Sequence, residues 1–256
     1  MSAKDQNLSL YENINGLTEY LRLPTIRKHF VEQAKEATVE NALYEEYLFR
    51  LLQKESDIRL ERAKQKRIRA ANFPQQKLIE DLSIEDLPKD AQNKLKTLKS
   101  LEFIDKGQNV ILAGNPGTGK THLAIGLGIK ACLLGYRAFF TTIPVLINQL
   151  KESRSQKNLR AFEHKFERYD LVIADELGYI SFDKEGSELL FTYLSLRVGR
   201  KSTIITTNLS FERWDEIFQD PVMTAAMIDR ITHKAYIVNM NGNSFRLKET
   251  EKWLQE

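Results

Sequence analysis

The sequence predicts an α/β protein, with a mostly parallel sheet flanked by helices and a small all-helical domain before it. From residue 109 onward, short apolar and β-branched segments alternate with longer helical ones. This is the pattern of parallel strands joined by right-handed helical crossovers. Between Leu17 and Lys106 the chain has no glycine, which fits long helices rather than strands. With 256 residues, 42% of them apolar, the chain can bury one full α/β core and a smaller appendage.

The N-terminal part is predicted to be helical. Pro24 suits the first turn of a helix, and apolar residues between 43 and 52 recur at helical spacing, so we expect them to form one face. These residues are Leu43, Tyr44, Tyr47, Leu48, Leu51 and Leu52. Asn72-Phe73-Pro74 interrupts the pattern and marks the predicted boundary, which gives domains of 1–72 and 73–256.

The second domain begins with a further helical segment and continues as alternating strands and helices. The helical segment spans 83–108, with a turn at Leu87-Pro88. The alternating elements are predicted at 109–113, 120–134, 137–141, 144–153, 170–174, 185–198 and 202–207, beginning with a strand.

A phosphate-binding motif follows the first strand. Residues 114–121 read G-N-P-G-T-G-K-T, which matches G-x-x-x-x-G-K-[ST] between a strand and a helix. Gly117 and Gly119 allow backbone conformations closed to residues with a Cβ, so successive N–H groups can form a nest for phosphate oxygens at the positive end of a helix dipole. Lys120 can reach the β- and γ-phosphates, and the Thr121 hydroxyl can ligate Mg²⁺. The alternative is a glycine-rich turn that binds nothing, but every fixed position matches. The predicted nucleotide contacts are Gly114, Asn115, Pro116, Gly117, Thr118, Gly119, Lys120, Thr121 and His122.

Two carboxylates end the strand predicted at 170–174. The strand is apolar on both faces, as in a parallel sheet covered by helices, and Asp175 and Glu176 follow it directly. Asp175 is predicted to hold Mg²⁺ directly or through water, and Glu176 to polarise the attacking water as a general base. An acidic pair alone is more often the start of a solvated loop; its position at the end of a buried strand favours the functional reading.

A polar residue ends the strand at 202–207. Asn208 can form a hydrogen bond with the γ-phosphate or with the attacking water. A lone polar residue at a strand end is more often a turn former, but the two preceding motifs favour a role in sensing nucleotide.

Together, these three strand-end motifs resemble the AAA+ family of ATPases over roughly 73–248. The resemblance implies ATP and Mg²⁺ as cofactors, and it places Asn208 at the family's first sensor position. A-A-M-I-D-R at 225–230 looks like the segment that carries the arginine finger, with Arg230 as the finger. The alternative for Arg230 is a surface ion pair with Asp229 or Glu216.

The resemblance also implies a role for a second arginine. Ser244-Phe245-Arg246 looks like the family's second sensor, with Arg246 contacting the nucleotide of its own subunit. Ten residues follow Arg246, so we expect no helical lid domain of the kind that most AAA+ proteins carry.

Within this family, the sequence is most similar to a short-chain subgroup that contains the DnaC and DnaI helicase loaders and the IstB-type helper ATPases of bacterial insertion sequences. Three stretches look specifically IstB-like: R-A-A-N-F-P at 69–74, A-D-E-L-G-Y at 174–179, and Arg213-Trp214. The resemblance implies a transposition helper that partners a transposase and conditions target DNA. A helicase loader acting on single strands is the alternative within the family.

Basic residues cluster in two places. Residues 59–69 hold six basic residues and one acid, and a second group lies at 151–160. Such clusters are typical of a polyanion partner, although a solvated helix face is the usual role of a charge run. We expect nucleic acid at the first cluster and leave both readings open at the second. The predicted DNA contacts are Arg59, Arg62, Lys64, Lys66, Arg67, Arg69, Lys151, Arg154 and Lys157.

Composition argues against other classes. The chain has no run of 18 or more apolar residues, so we do not expect a membrane span. The polar residues 1–7 argue against a secretory signal. The single cysteine, Cys132, cannot form an internal disulfide and is predicted to be a small buried residue. We therefore expect a cytoplasmic protein.

The sequence thus predicts an ATPase that assembles on DNA as a homo-oligomer and hydrolyses ATP at subunit interfaces. An alternative from another class is a nucleotide-gated DNA scaffold in which turnover is incidental, and steady-state turnover on DNA separates the two. A small-molecule kinase shares the phosphate loop, but it does not need the acidic pair, Asn208 and Arg230 together.

Overall fold

The computed structural model describes residues 3–255, and the chain forms two compact units, Met1–Gln65 and Lys66–Glu256. The division falls within a long helix. The separate domain of residues 1–72 stays a prediction.

The first unit contains helices α1 (Ala3–Tyr20), α2 (Pro24–Val39) and most of α3 (Tyr44–Ala70). Pro24 begins α2, as predicted. The Glu55 carboxylate caps this helix, because it accepts the backbone N–H groups of Thr25 at 2.8 Å and Ile26 at 3.1 Å. These bonds and the nearby Arg59 outweigh the burial that opposes ionisation, so the pKa of Glu55 lies below its ordinary value.

The predicted apolar face of α3 is buried only in part. Leu51 is buried with Ile26 and Phe30, and Tyr47 packs against this cluster. The remaining four residues of the predicted face are exposed: Leu43, Tyr44, Leu48 and Leu52. Six residues cover a wider arc of a helix than the neighbouring helices of this unit bury.

The second unit begins with α4 (Lys89–Ser100) and α5 (Glu102–Asp105) and then alternates strands and helices. Its further elements are β1 (Val110–Ala113), α6 (Lys120–Leu133), β2 (Ala138–Thr142), α7 (Ile143–Ser155), α8 (Leu159–Glu167), β3 (Leu171–Leu177), α9 (Lys184–Ser195), β4 (Ser202–Thr207), α10 (Asp215–Phe218), α11 (Pro221–Thr232), β5 (Tyr236–Asn239) and α12 (Phe245–Gln255).

The strands form one parallel sheet in the order β2-β3-β4-β1-β5. Alternate residues of β1 to β4 enter two cores, one on each face. In β1, Val110 and Leu112 pack with α4, α5 and α6, whereas Ile111 packs with α7, α9 and α11. Both faces are therefore covered by helices, which explains the near-continuous apolar strands. The predicted fold class is confirmed.

The structure contains elements that the sequence analysis did not predict: α8, α10, α11, β5 and α12. β5 pairs in parallel with β1, with Tyr236 opposite Val110. β3 also runs past its predicted end to Leu177, because pairing with β4 resumes after an irregularity at Asp175 and Glu176. Cys132 is buried, as predicted. Among the helices of residues 3–255, none is long and apolar enough to cross a membrane.

Candidate nucleotide-binding site

The carboxyl ends of β1, β3 and β4 meet at one edge of the sheet. β1 lies between β4 and β5, so the chain leaves β1 and crosses over β4 and β3 to reach β2. Ligands of open parallel sheets bind at the carboxyl ends of the strands, where such a reversal of direction occurs. A cavity of about 590 Å³ lies here, and it is lined by the phosphate loop, Glu176, Asn208 and Arg246.

The loop after β1 requires its glycines. Gly117 and Gly119 have φ of +79° and +88°, which lie in the left-handed region. A Cβ on Gly117 would lie 2.1 Å from Ser244 Oγ, and one on Gly114 would lie 2.2 Å from the carbonyl carbon of Met240. The loop is thus packed closely against the chain that follows β5, and side chains would push the two apart.

Lys120 is held inside the loop. Its Nζ donates to the carbonyl oxygens of Gly114 and Asn115, both at 2.6 Å. Burial lowers its pKa to about 8, with Asp175 opposing this shift and Arg246 adding to it. The amine therefore lies within the loop that would surround a phosphate, and it must exchange these carbonyl oxygens for phosphate oxygens.

His122 reaches the opposite wall of the cavity. One ring nitrogen, Nε2, lies 2.8 Å from the carbonyl oxygen of Leu78. Lys77, Asp81 and Leu82 line the cavity on this side. His122 therefore joins the start of α6 to the segment that forms this wall.

Asp175 is bonded to two threonine hydroxyls. Thr121 Oγ1 lies 3.0 Å and 3.1 Å from the two carboxylate oxygens, and Thr206 Oγ1 donates to Oδ1. The side chain of Asp175 is buried. The phosphate loop and the acidic end of β3 are therefore already in contact, and the carboxylate of Asp175 is held by the hydroxyls of Thr121 and Thr206.

Glu176 faces the cavity from a strained position. Its φ of +67° is unusual for a residue with a side chain, and its N–H donates to Thr206 Oγ1 at 3.0 Å. Burial and the charge of Asp175 raise the pKa of Glu176 above its ordinary value, while Arg246 opposes the shift. A raised pKa suits a carboxylate that must accept a proton.

Asn208 carries a buried oxygen that lacks a partner. Its Oδ1 has no hydrogen bond to any residue that the structure describes, and the side chain lines the cavity. Buried polar atoms are nearly always paired. An unpaired oxygen at this edge fits a site that a water molecule or a ligand completes.

Arg246 lines the same cavity of its own chain. It lies in the first turn of α12, and the preceding residue, Phe245, donates its N–H to the carbonyl oxygen of Gly117 at 2.9 Å. Lys248 pairs with Asp86 at 2.7 Å. The start of α12 is thus bonded to the phosphate loop itself, which brings Arg246 to the cavity.

Arg230 lies elsewhere. Its side chain is exposed on α11, and its guanidinium lies 4.7 Å from the centre of the Phe191 ring. It borders a separate concave surface together with Phe191 and Arg200. Among the residues that the structure describes, Arg230 forms no ion pair with Asp229 or Glu216, the partners of the alternative reading; Glu216 pairs with Arg213 at 2.8 Å.

Two of the four basic residues of the second cluster are engaged in ion pairs. Lys151 pairs with Asp183 at 2.6 Å, and Arg154 pairs with Glu185 at 3.4 Å. Lys157 is exposed. The two pairs hold α7 against the start of α9, which gives Lys151 and Arg154 a structural role.

The first basic cluster falls into two groups. Three of its members have partners within their own units: Arg59 with Glu55, Lys64 with Glu61, and Arg67 with the carbonyl oxygen of Cys132. The other three are exposed: Arg62, Lys66 and Arg69. Their spacing of four and three residues places them on one face of a helix.

Sequence reasoning missed two parts of this site. Thr206 bonds to the carboxylate of Asp175 and to the backbone N–H of Glu176, but its sequence context is an ordinary β-branched strand. Five residues of the segment 77–86 and Tyr179 line the cavity, and the segment contains no motif that indicates ligand binding. Both depend on contacts between residues far apart in the chain.

A phosphate loop, an acidic pair and a polar residue at three adjacent strand ends define a P-loop protein of the AAA+ class. Comparison with known families narrows the class. The family described as IstB-like ATP binding protein matches residues 17–253, and the chain belongs to this family.

Relatives of similar length support the assignment. An ATP-binding protein described for insertion sequence IS5376 of Geobacillus stearothermophilus is 35% identical over 96% of this chain and 97% of its own. One described for insertion sequence IS21 of Pseudomonas aeruginosa is 33% identical over 92% of this chain and 89% of its own.

Solved structures share the fold of part of the chain. The DnaC helicase loader superposes with a TM-score of 0.51 at 22% identity, covering 60% of this chain and 91% of its own. DnaI gives a TM-score of 0.54 at 18% identity, and the match covers 69% of this chain and 93% of its own. DnaA from Aquifex aeolicus bound to AMPPCP gives a TM-score of 0.55 at 18% identity, and the match covers 72% of this chain and 55% of its own. At these identities the likeness concerns the fold alone.

The donor set fits Mg²⁺. Thr121 and Asp175 offer a hydroxyl and a carboxylate side by side. Across residues 3–255 there is no group of three or more His, Cys, Asp or Glu that could hold a metal by itself. Mg²⁺ commonly takes one or two carboxylates together with substrate phosphates and water, so a nucleotide would supply the remaining oxygens.

Lys120 is expected to make ATP binding depend on pH. Above its pKa of about 8, the free loop carries a neutral amine that must take up a proton to pair with phosphate. ATP affinity should therefore fall as pH rises above 8, by up to about tenfold per pH unit. Titration with a fluorescent ATP analogue from about pH 7 to about pH 10 measures this.

The matched control is Lys120→Arg, because a guanidinium stays charged throughout this range. Its affinity should be flat over the same range, whatever its absolute value. A parental affinity that does not change up to about pH 10 would contradict the lowered pKa of Lys120.

Proposed function

We propose that this chain is an ATP-hydrolysing transposition helper that self-assembles on target DNA and partners a transposase. The observation that carries the proposal is the convergence of Lys120, Glu176 and Asn208 on one cavity at the sheet edge, with Asp175 bonded to Thr121 of the same cavity. The descriptions of the relatives as insertion-sequence proteins support the biological role.

The residues of the cavity have complementary roles in hydrolysis. Mg²⁺ held by Thr121 and Asp175 would neutralise charge on the β- and γ-phosphates. Lys120 adds positive charge at the same oxygens. Glu176 accepts the proton of the attacking water, and the free oxygen of Asn208 orients that water.

Hydrolysis takes place at subunit interfaces in this proposal. Arg230 is exposed on α11, outside the cavity of its own chain. A cation that stabilises the transferring phosphoryl group must touch it. Arg230 therefore acts on the nucleotide of a neighbouring subunit, while Arg246 acts on its own. Assembly on DNA aligns the subunits and so promotes turnover.

DNA contact is assigned to the exposed face of the first basic cluster. Arg62, Lys66 and Arg69 are not held in ion pairs that the structure describes, whereas Lys151 and Arg154 are. A helicase loader is the second candidate. It would act on single strands, so a preference for duplex DNA in the presence of ATP supports the transposition helper.

Neutralising this face tests the proposal. Changing Arg62, Lys66 and Arg69 to Gln should weaken duplex binding for all sequences alike. If each residue contacts one phosphate, the slope of log K against log salt should fall by about 0.9 per residue. ATP affinity should be unchanged, and stimulation of turnover by DNA should be lost. Fluorescence anisotropy at several salt concentrations and a steady-state ATPase assay measure these quantities.

The matched control removes the same charge elsewhere. Lys28, Lys35 and Lys96 are exposed outside the cluster, and changing them to Gln should leave the slope nearly as in the parent. A parental slope in the first triple variant, with an intact circular dichroism spectrum, would make this face an ordinary solvated surface. A parent that binds DNA with ATP but shows no turnover would favour the nucleotide-gated scaffold.

A further inference from the structure

Thr206 lies opposite an irregularity in the sheet, next to both acids of the site. Ala174 on β3 pairs with Ile205 on β4, and Leu177 pairs with Thr207. Two residues of β3, Asp175 and Glu176, therefore face the single residue Thr206. Such a bulge leaves one backbone group without its ladder partner and turns a side chain to a new direction.

The Thr206 hydroxyl replaces the missing ladder bond. It accepts the N–H of Glu176 at 3.0 Å and donates its own proton to Asp175 Oδ1. A hydroxyl has one proton to donate and two lone pairs to accept, so both bonds form at once. The residue is 2% exposed and lies at the wall of the cavity.

Glu176 depends on this bond for its direction. Its φ of +67° places it in a region that costs a residue with a side chain about 1–3 kcal/mol. Such a conformation persists only where the surroundings hold it. The bond from its N–H to Thr206 supplies part of this restraint, and the bulge aims its carboxylate into the cavity.

We infer that Thr206 is a positioning residue that sets the metal-holding carboxylate and the catalytic base with one hydroxyl. The inference rests on the proposed ATPase function. Thr121 also bonds to Asp175, but its hydroxyl would turn to the metal when nucleotide binds. Thr206 belongs to the sheet and stays, so it holds Asp175 in both states.

Thr206→Val tests the inference because valine keeps the shape and removes the hydroxyl. Loss of a residue that orients a metal ligand commonly lowers activity or metal affinity about 10–100-fold. We expect kcat to fall by this factor while the KM for ATP stays within about threefold of the parental value. A lower kcat with a nearly unchanged KM would assign the loss to the catalytic step rather than to ATP binding. The Mg²⁺ concentration for half-maximal nucleotide binding should rise, which a titration of a fluorescent ATP analogue measures without turnover. Thr206→Ser keeps the hydroxyl and should restore both quantities to within about threefold.

Thr203→Val controls for the loss of a buried hydroxyl from the same strand. Thr203 is 2% exposed and accepts from Arg197 Nε at 3.2 Å, away from the acids. The Thr203→Val variant should be less stable than the parent yet retain the parental kcat and Mg²⁺ dependence. If Thr206→Val does not fold, Thr206→Cys takes its place, because a thiol is a weak donor and acceptor at the same position.

Two outcomes would overturn the inference. One is a valine variant with kcat and Mg²⁺ dependence within about twofold of the parent. The other is a serine variant as impaired as the valine variant, since the methyl group rather than the hydroxyl would then matter. A parent without turnover would refute the ATPase proposal instead. The Mg²⁺ dependence of nucleotide binding in Thr206→Val, Thr206→Ser and Thr203→Val would still test the role of Thr206.

Discussion

Arg230→Ala is expected to bind ATP with nearly parental affinity and to lose turnover by about 10³–10⁵-fold, the contribution typical of an arginine finger. Affinity survives because Arg230 lies outside the cavity of its own chain. Turnover fails because the neighbouring site lacks the cation that stabilises its transition state. Nucleotide titration and steady-state turnover, at protein concentrations that support assembly, measure the two effects.

Mixing two inactive variants tests the role in trans. Lys120→Ala has an intact finger and a damaged phosphate loop, whereas Arg230→Ala has the reverse. A mixed interface pairs the intact loop of one with the intact finger of the other, so turnover should partly recover. Arg200→Ala is the control, because Arg200 borders the same concave surface and should retain turnover. No recovery at any ratio, with assembly confirmed by light scattering, would place the action of Arg230 within its own subunit.

The parts of the fold that sequence predicted best are those in which local pattern and tertiary environment agree. β1 is apolar and β4 is rich in β-branched residues, both strands are mostly buried, and their bounds differ little from the predicted ones. β5 is a four-residue edge strand with two exposed residues. Within residues 3–255 it pairs with β1 alone, more than a hundred residues earlier. A short segment of this kind therefore gave little local evidence for the strand.

The site shows the same division. Gly117, Gly119 and Lys120 belong to one contiguous motif whose spacing reflects its chemistry. The role of Thr206 depends on which residues of β3 lie opposite it, and that register includes a bulge. The closeness of Arg246 to the cavity depends on the bond from Phe245 to Gly117. Sequence spacing cannot supply such contacts, because they arise from pairing between distant segments.

The apolar face predicted on α3 is only partly buried, for a related reason. Helical periodicity identified residues that share a side of the helix, but burial depends on how much of that side the neighbours cover. Leu51 meets Phe30 and Ile26, whereas Leu48 and Leu52 remain exposed. Periodicity alone therefore predicts the helix more reliably than its buried stripe.

Glu176→Gln is expected to keep Mg²⁺-dependent ATP binding and to lower turnover by about 10²–10⁴-fold. The backbone bond to Thr206 and the carboxylate of Asp175 remain, but an amide cannot accept the proton of the attacking water. The ATP-bound assembly should therefore persist on DNA. Single-turnover hydrolysis and the lifetime of the DNA complex measure the two consequences.

The pH dependence and a neighbouring variant make this assignment specific. The raised pKa of Glu176 means that parental turnover should fall as pH falls through a value above the ordinary 4.5, because protonation removes the base. This acidic limb should be absent from the residual activity of Glu176→Gln. Asp175→Asn should instead lose the effect of Mg²⁺ on nucleotide affinity. Parental turnover in Glu176→Gln would assign the base to another residue, and an unchanged acidic limb would show that a different group titrates.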